Sequence, residues 1–136
     1  MASDTETIRL PNATVFVEAR AAYIYMREEG QLKDLAEAQL YFDAMDMLVT
    51  RRGIRAALID SRAETSVQSG AVREAMWQWL GSGKTFEALA YVLVDSMTVT
   101  RVNMRAVSLG IRVRAFPDIN EAVRWLLRRS TMPPRG

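Results

Sequence analysis

Apolar positions follow two alternating patterns along the chain, one with a period of two and one with steps of three and four. Residues 13–18 (ATVFVE) are β-branched and aromatic, and residues 22–27 (AYIYMR) repeat that composition after a short break at Ala19 and Arg20. Two such runs so close together predict an antiparallel hairpin, ended by Glu28, Glu29 and Gly30. From 32 to 52 the step lengthens. Leu32, Leu35, Phe42, Met45, Leu48 and Val49 fall on one helical face, Arg51 and Arg52 suit the negative helix end, and Gly53 stops it. Residues 54–60 (IRAALID) read as a strand whose unbroken apolar stretch, 56–59, suits burial on both faces.

Residues 67–80 predict a second helix with Val72, Ala75, Met76, Trp79 and Leu80 as its inward stripe. Residues 88–94 (ALAYVLV) are the most apolar run and are placed in the middle of the sheet. Asp95 and Ser96 cap a third helix, with Val99, Val102, Ala106 and Val107 inward and Gly110 at its end. Residues 111–116 (IRVRAF) alternate as a half-exposed edge strand. Asp118 followed three residues later by Glu121 is a variant capping box, and it opens a last helix that runs to about Arg129.

The order β-β-α-β-α-β-α-β-α predicts an α/β fold: a single mixed five-stranded sheet with four helices and right-handed crossovers between parallel strands. Residues 1–12 are expected to be a flexible leader, 13–129 the domain and 130–136 a flexible tail. A chain of 136 residues is one domain with room for a core. Cysteine is absent, which excludes disulfides, thiol chemistry and cysteine-bound metals. Histidine is absent too, so there is no Ser-His-Asp or Cys-His catalysis, no histidine-bound zinc and no imidazole switch.

No cofactor is expected. Residues 1–68 carry 8 basic and 11 acidic residues, whereas 69–136 carry 10 basic and 5 acidic, of which only Lys84 is lysine. An arginine-rich half suits an acidic or phosphorylated partner. Basic runs with interleaved aromatics are missing, so nucleic acid is not expected. No apolar run approaches ~20 residues, and the polar start does not read as a signal peptide. Cytoplasmic location without stable membrane insertion is expected.

Gly81, Ser82, Gly83, Lys84 and Thr85 invite a phosphate-loop reading, but Gln78 stands where the motif needs glycine. The segment also follows a helix instead of opening one, and a helix C-terminus presents carbonyls to an anion. It reads as an ordinary turn. Asp60 and Asp95 each follow an apolar strand and precede a serine, Ser61 and Ser96. As tips of parallel neighbours they would meet at the carboxyl edge of the sheet, where such folds bind ligands. Arg62, Arg101 and Arg105 are close enough in sequence to neutralise them. Among the tryptophans, Trp79 reads as core, while Trp77 and Trp125 lie off or at the rim of their helix stripes. Met45, Met47, Met76, Met97 and Met104 read as core filler.

The segment 56–60 (AALID) resembles the buried strand ending in Asp, and the segment 114–126 (RAFPDINEAVRWL) the closing signature, of the STAS superfamily, and more narrowly its SpoIIAA-like branch. The resemblance spans roughly 13–128. It implies a regulatory protein–protein switch in which a partner kinase phosphorylates a serine in an Asp-Ser-Ser-Gly loop after the corresponding strand. Here that stretch reads Val67, Gln68, Ser69, Gly70, so Gln68 occupies the phosphoserine place and Val67 that of the aspartate.

Ser69 and Ser66 remain as substitutes, with Ser69 the candidate phosphoacceptor; both also suit helix capping. The expected function is a non-enzymatic STAS-like interaction module. Its candidate edge is Asp60, Ser61, Arg62, Ser66, Gln68, Ser69, Gly70, Asp95, Ser96 and Arg101. The implied partner is a protein, a kinase or an anti-sigma-like regulator, with a homodimer as an allowed arrangement. The alternative is a carrier of a small hydrophobic ligand or lipid, with Tyr23, Tyr25, Phe86 and Trp77 lining its pocket. A carboxylate-based enzyme using Asp60 and Asp95 is a third reading.

Overall fold

The computed structural model of the chain describes residues 4–62 and 69–131. Strands β1 (Thr5–Arg9), β2 (Ala13–Ala19) and β3 (Ile24–Gly30) come first, then helix α1 (Leu35–Arg52), β4 (Ala56–Asp60) and α2 (Gly70–Gly81). The chain continues through β5 (Ala88–Val92), α3 (Ser96–Leu109), β6 (Val113–Phe116) and α4 (Ile119–Thr131). One six-stranded sheet holds them in the order β1-β2-β3-β4-β5-β6. The first three strands pair antiparallel and the rest parallel, with Ile24 opposite Ala57 and Asp60 opposite Val92.

The α/β class and four helices agree with the sequence pattern, but the sheet has six strands, not five. The additional strand is β1, within the stretch expected to be a leader. Its one large apolar side chain, Ile8, packs against the core beside the β2 strand it pairs with. Pro11 and Asn12 therefore form a hairpin turn. β5 lies between β4 and β6, one place in from the edge rather than central, while β6 is an edge strand as its alternation predicts.

Strand parity sends alternate side chains to opposite faces. On one face Val15, Ile24, Met26, Ile59 and Leu89 pack with residues of α1, α2 and α3. On the other, Leu58, Ala90 and Val92 meet Ala122 and Leu126 of α4, which lies over β4, β5 and β6. Tyr41, Phe42, Phe86 and the half-buried Trp79 gather on the first face, where Phe42 and Trp79 stack at 4.6 Å between ring centroids, while Tyr23 is buried on the other. Trp79 is thus core, as its stripe predicts. Met45 is fully buried, but Met47, Met97 and Met104 are 66%, 61% and 69% exposed, so the reading of these three as core filler is corrected.

Leu35, expected on the inner face of α1, is exposed, as is Val107 on α3. In α3 the small Ala106 faces the sheet at 0% exposure, and this fixes which of the helix's apolar stripes turns inward.

The antiparallel hairpin is fastened to α1 by a buried acid. Glu37 is 3% exposed, and its carboxylate accepts from the Asn12 backbone N–H at 2.5 Å, the Asn12 amide at 3.1 Å and the Lys33 N–H at 2.7 Å. Its own N–H donates to the helix-capping carboxylate of Asp34 at 2.9 Å. Burial pushes the Glu37 carboxyl up, but the three N–H donors outweigh that and hold it below its usual range. Gly30 closes the same junction. It has φ 82°, and a Cβ there would sit 2.3 Å from the Asn12 carbonyl oxygen, so only glycine fits.

Glu37→Ala leaves buried N–H groups without an acceptor and is expected to cost about 3 kcal/mol in urea unfolding at neutral pH. Because the folded carboxyl is held low, its contribution is present above the unfolded value near ~4 and fades as pH falls below it. The gap between wild type and variant should narrow correspondingly.

Candidate functional site

The parallel strands place their carboxyl ends on one rim, the side where open α/β sheets gather functional groups. In β4, Ala57 and Ile59 face the three-helix side, so Asp60 falls on the α4 side with Leu58. An aspartate there is 4% exposed, and a carboxylate withdrawn from water needs donors. Arg62 supplies three: its N–H at 3.1 Å and Nε at 2.9 Å to Oδ1, and a terminal guanidinium nitrogen at 2.7 Å to Oδ2. The Tyr25 hydroxyl donates a fourth bond at 3.0 Å.

Tyr25 reaches Asp60 because β3 and β4 run parallel with Arg27 opposite Asp60, which puts Tyr25 diagonally next to it on the same face. The Arg20 guanidinium lies 4.7 Å from the centroid of the Tyr25 ring and donates to the Tyr23 hydroxyl at 3.0 Å. The Arg62 guanidinium chiefly holds the Asp60 carboxyl below its ordinary range. Burial, and then the neighbouring carboxylate, raise the Tyr25 hydroxyl.

The other predicted residues divide. The Ser61 N–H donates to the Val92 carbonyl at 3.0 Å and so ties the end of β4 to β5. Ser69 is the N-cap of α2, its hydroxyl accepting from the Val72 N–H at 3.3 Å, and Gly70 is the first residue of that helix. That helix was expected from 67. Ser66 and Gln68 lie outside the described residues.

Asp95 caps α3, accepting from the Thr98 N–H at 3.1 Å and the Thr98 hydroxyl at 2.6 Å, and the hydroxyl bond in particular lowers its carboxyl. Ser96 opens the helix, and Ser96 and Arg101 are exposed. The tips of β4 and β5 therefore share a rim, as expected, but the two carboxylates serve different donors: Asp60 in a buried clasp, Asp95 as a helix cap. Neither is left as a free acid or base, so the enzyme reading has no support in this geometry. Arg105 does not neutralise an aspartate on the rim. It bonds Glu74 at 3.1 Å and lies 5.7 Å from the Trp77 ring centroid. Among the described residues no group of three or more acids could hold a metal.

Sequence reasoning did not identify Tyr25 and Arg20 as part of this rim. Strand parity puts Tyr25 on one of two faces, but only the β3–β4 register brings it to Asp60. The segment 81–85 is the turn expected of it: the Arg55 guanidinium donates to the Gly83 carbonyl at 2.7 Å, with longer bonds at 3.3 Å to the Lys84 and Thr85 carbonyls. A cleft of about 340 Å³ opens there, at the opposite rim, over Trp79, Phe86 and Ile111. Of the four residues expected to line a ligand pocket, only Phe86 does so. Tyr23 and Tyr25 pack on the α4 side, and Trp77 against α2's own face of the core.

The sequence matches no family model and none of the curated proteins. Solved structures do match. A protein of the DUF3478 family with a SpoIIAA-like fold from Shewanella loihica PV-4 superposes with a TM-score of 0.62 at 20% identity, covering 89% of this chain and 98% of that one. An anti-sigma factor antagonist from Mycobacterium paratuberculosis superposes with a TM-score of 0.59 at 15% identity, covering 88% and 99%. No helix among the described residues is long and apolar enough to cross a membrane.

Asp60→Asn keeps the shape and removes the ion pair. With Arg62 half in solvent, the expected cost is about 1–2 kcal/mol at pH 7, read by denaturant unfolding. Since the folded carboxyl lies below its unfolded value near ~4, the difference from wild type is fully present above that pH and shrinks as pH falls through it. A gap that grows on acidification contradicts the clasp.

Proposed function

We propose that this SpoIIAA-like fold serves as a non-enzymatic regulatory module that binds a protein partner through its carboxyl rim and the outer face of α3. The observation that carries the reading is apolar surface left in water from the rim at Val94 along the length of α3. Val94, Met97, Met104 and Val107 are all more than 60% exposed. Met97, Met104 and Val107 recur at steps of seven and three, one stripe of the helix. Exposed apolar stripes of this kind are used for protein contact, and methionine adapts to a partner's shape.

The charge on α3 comes from Arg101 and Arg105 alone, with no acid on the helix. The partner that fits therefore carries an apolar ridge with acidic flanks. The anti-sigma factor antagonist among the structural matches supports a partner of anti-sigma type. The rim also offers a regulatory position. Ser69 caps α2 and is exposed, and a phosphate there would add about −1.5 to −2 charges at the start of a helix, within the contact area. Cytoplasmic location and a homodimeric state are further parts of this proposal.

A second reading, a carrier of a small hydrophobic ligand, has one observation in its favour. The cleft of about 340 Å³ is just large enough for a small ligand. Against it, the lining carries Arg55, Glu87 and Arg112, charged groups that an apolar ligand would withdraw from water without pairing them.

Affinity capture from the source cell, followed by titration with the purified partner, decides between these readings. Met104→Glu is expected to weaken binding at least tenfold, about 1.4 kcal/mol. Ser69→Asp and Arg62→Glu should alter it as well, and Met47→Glu, at an exposed position of α1, should not. Equal affinity in all four variants rejects this surface. Native mass spectrometry that finds an apolar ligand on the isolated protein favours the carrier.

A further inference from the structure

The sheet ends at β6, and three outward backbone groups of this strand are met by side chains. In a parallel pair alternate residues point their N–H and C=O groups toward the neighbour. Arg112 and Phe116 do so, their carbonyls accepting from the Leu89 and Leu93 N–H groups of the β5 side at 3.0 Å each. Val113 and Ala115 consequently present their backbone groups away from the sheet.

At Ala115 both are taken by one residue of α3. The Asn103 amide oxygen accepts from the Ala115 N–H at 2.7 Å, and the amide nitrogen donates to the Ala115 carbonyl at 3.0 Å. A primary amide used in this way reproduces the donor–acceptor pair of an adjoining strand. At Val113 the carbonyl accepts from the Arg114 guanidinium at 2.7 Å, and the same nitrogen lies 3.5 Å from the Ile111 carbonyl.

We infer that Asn103 and Arg114 stand in for a seventh strand and prevent a second copy of this chain from adding its own edge strand at β6. An unpaired edge is a template for pairing with another chain, and natural sheets block such edges. The occupant excluded is a second copy because every copy carries the same short strand, and residues 113–116 (VRAF) are apolar enough on alternate positions to register against themselves. The neighbouring contacts fix both guards. Asn103 lies on α3 three residues before the buried Ala106, so its height over β6 is set by core packing. The inference does not rest on the proposed function, since α3 meets β6 on a different side from its Met97 and Met104 stripe.

Hydrogen exchange and sedimentation test it together. In the wild type the Ala115 amide, although on an outermost strand, is expected to exchange slowly, and Asn103→Ala should speed it at least about tenfold. The double variant Asn103→Ala, Arg114→Ala is expected to gain mass with rising concentration in sedimentation velocity, relative to wild type. Adding Ala115→Pro, which removes an outward N–H and no ladder bond, should reverse the gain.

Should the double variant fail to fold by circular dichroism, Asn103→Asp is the substitute. It keeps the acceptor for the Ala115 N–H, loses the donor to its carbonyl, and is expected to associate to a lesser degree. An Ala115 amide that exchanges freely in the wild type overturns the inference. So does a folded variant that sediments as the wild type does at every concentration.

Discussion

A carboxylate buried at the end of a parallel strand constrains everything around the rim. Asp60 is held out of water by the body of the sheet, and a charge in that position persists only with donors on its oxygens. Arg62, two residues on, turns back to provide three of them, and the chain leaving β4 is thereby given its direction. Tyr25 supplies the fourth and ties β3 to the same point. The clasp thus converts the end of a strand into a fixed corner, from which the segment toward α2 departs.

Helix α3 shows how one short element meets several demands by dividing its circumference. Ala106 gives close approach to the sheet, Asn103 reaches sideways to the backbone of β6, and Met97, Met104 and Val107 stand in solvent. Arg105 crosses to Glu74 and the Trp77 ring, joining α3 to α2 on the outer surface. Core packing through Ala106 and Val102 is thus joined by directed contacts to β6 and α2. Its Met97, Met104 and Val107 stripe takes no part in these contacts and stands in solvent.

Much of this was legible in the chain, and the exceptions have identifiable causes. The helices over 35–52, 70–81, 96–109 and 119–131 follow from stripes and caps that are local in sequence. Ser69, Asp95 and Gly110 mark helix ends through their own side chains or backbone freedom, so their roles are readable without the fold. β1 escaped notice because residues 5–9 (TETIR) contain one large apolar residue, and their strand character comes from pairing with β2. On α3 two apolar stripes, Val99-Val102-Ala106 and Met97-Met104-Val107, compete at the same period. Hydrophobicity alone cannot choose between them; the fit of Ala106 against the sheet does.

From the order of residues by themselves come the element types, the absence of thiol and imidazole chemistry, and the presence of Asp60 and Asp95 at strand ends. These depend on side-chain identity and on periods of two and 3.6, which are properties of neighbouring positions. The tertiary structure alone decided that Tyr25 rather than Asp95 shares the Asp60 site, that Asn103 answers the Ala115 backbone, and that the methionines of α3 face water. The first two are contacts between separate segments and the third is their counterpart on the free side of α3; all are set by strand register and by which helix face packs inward, and no local pattern encodes a register.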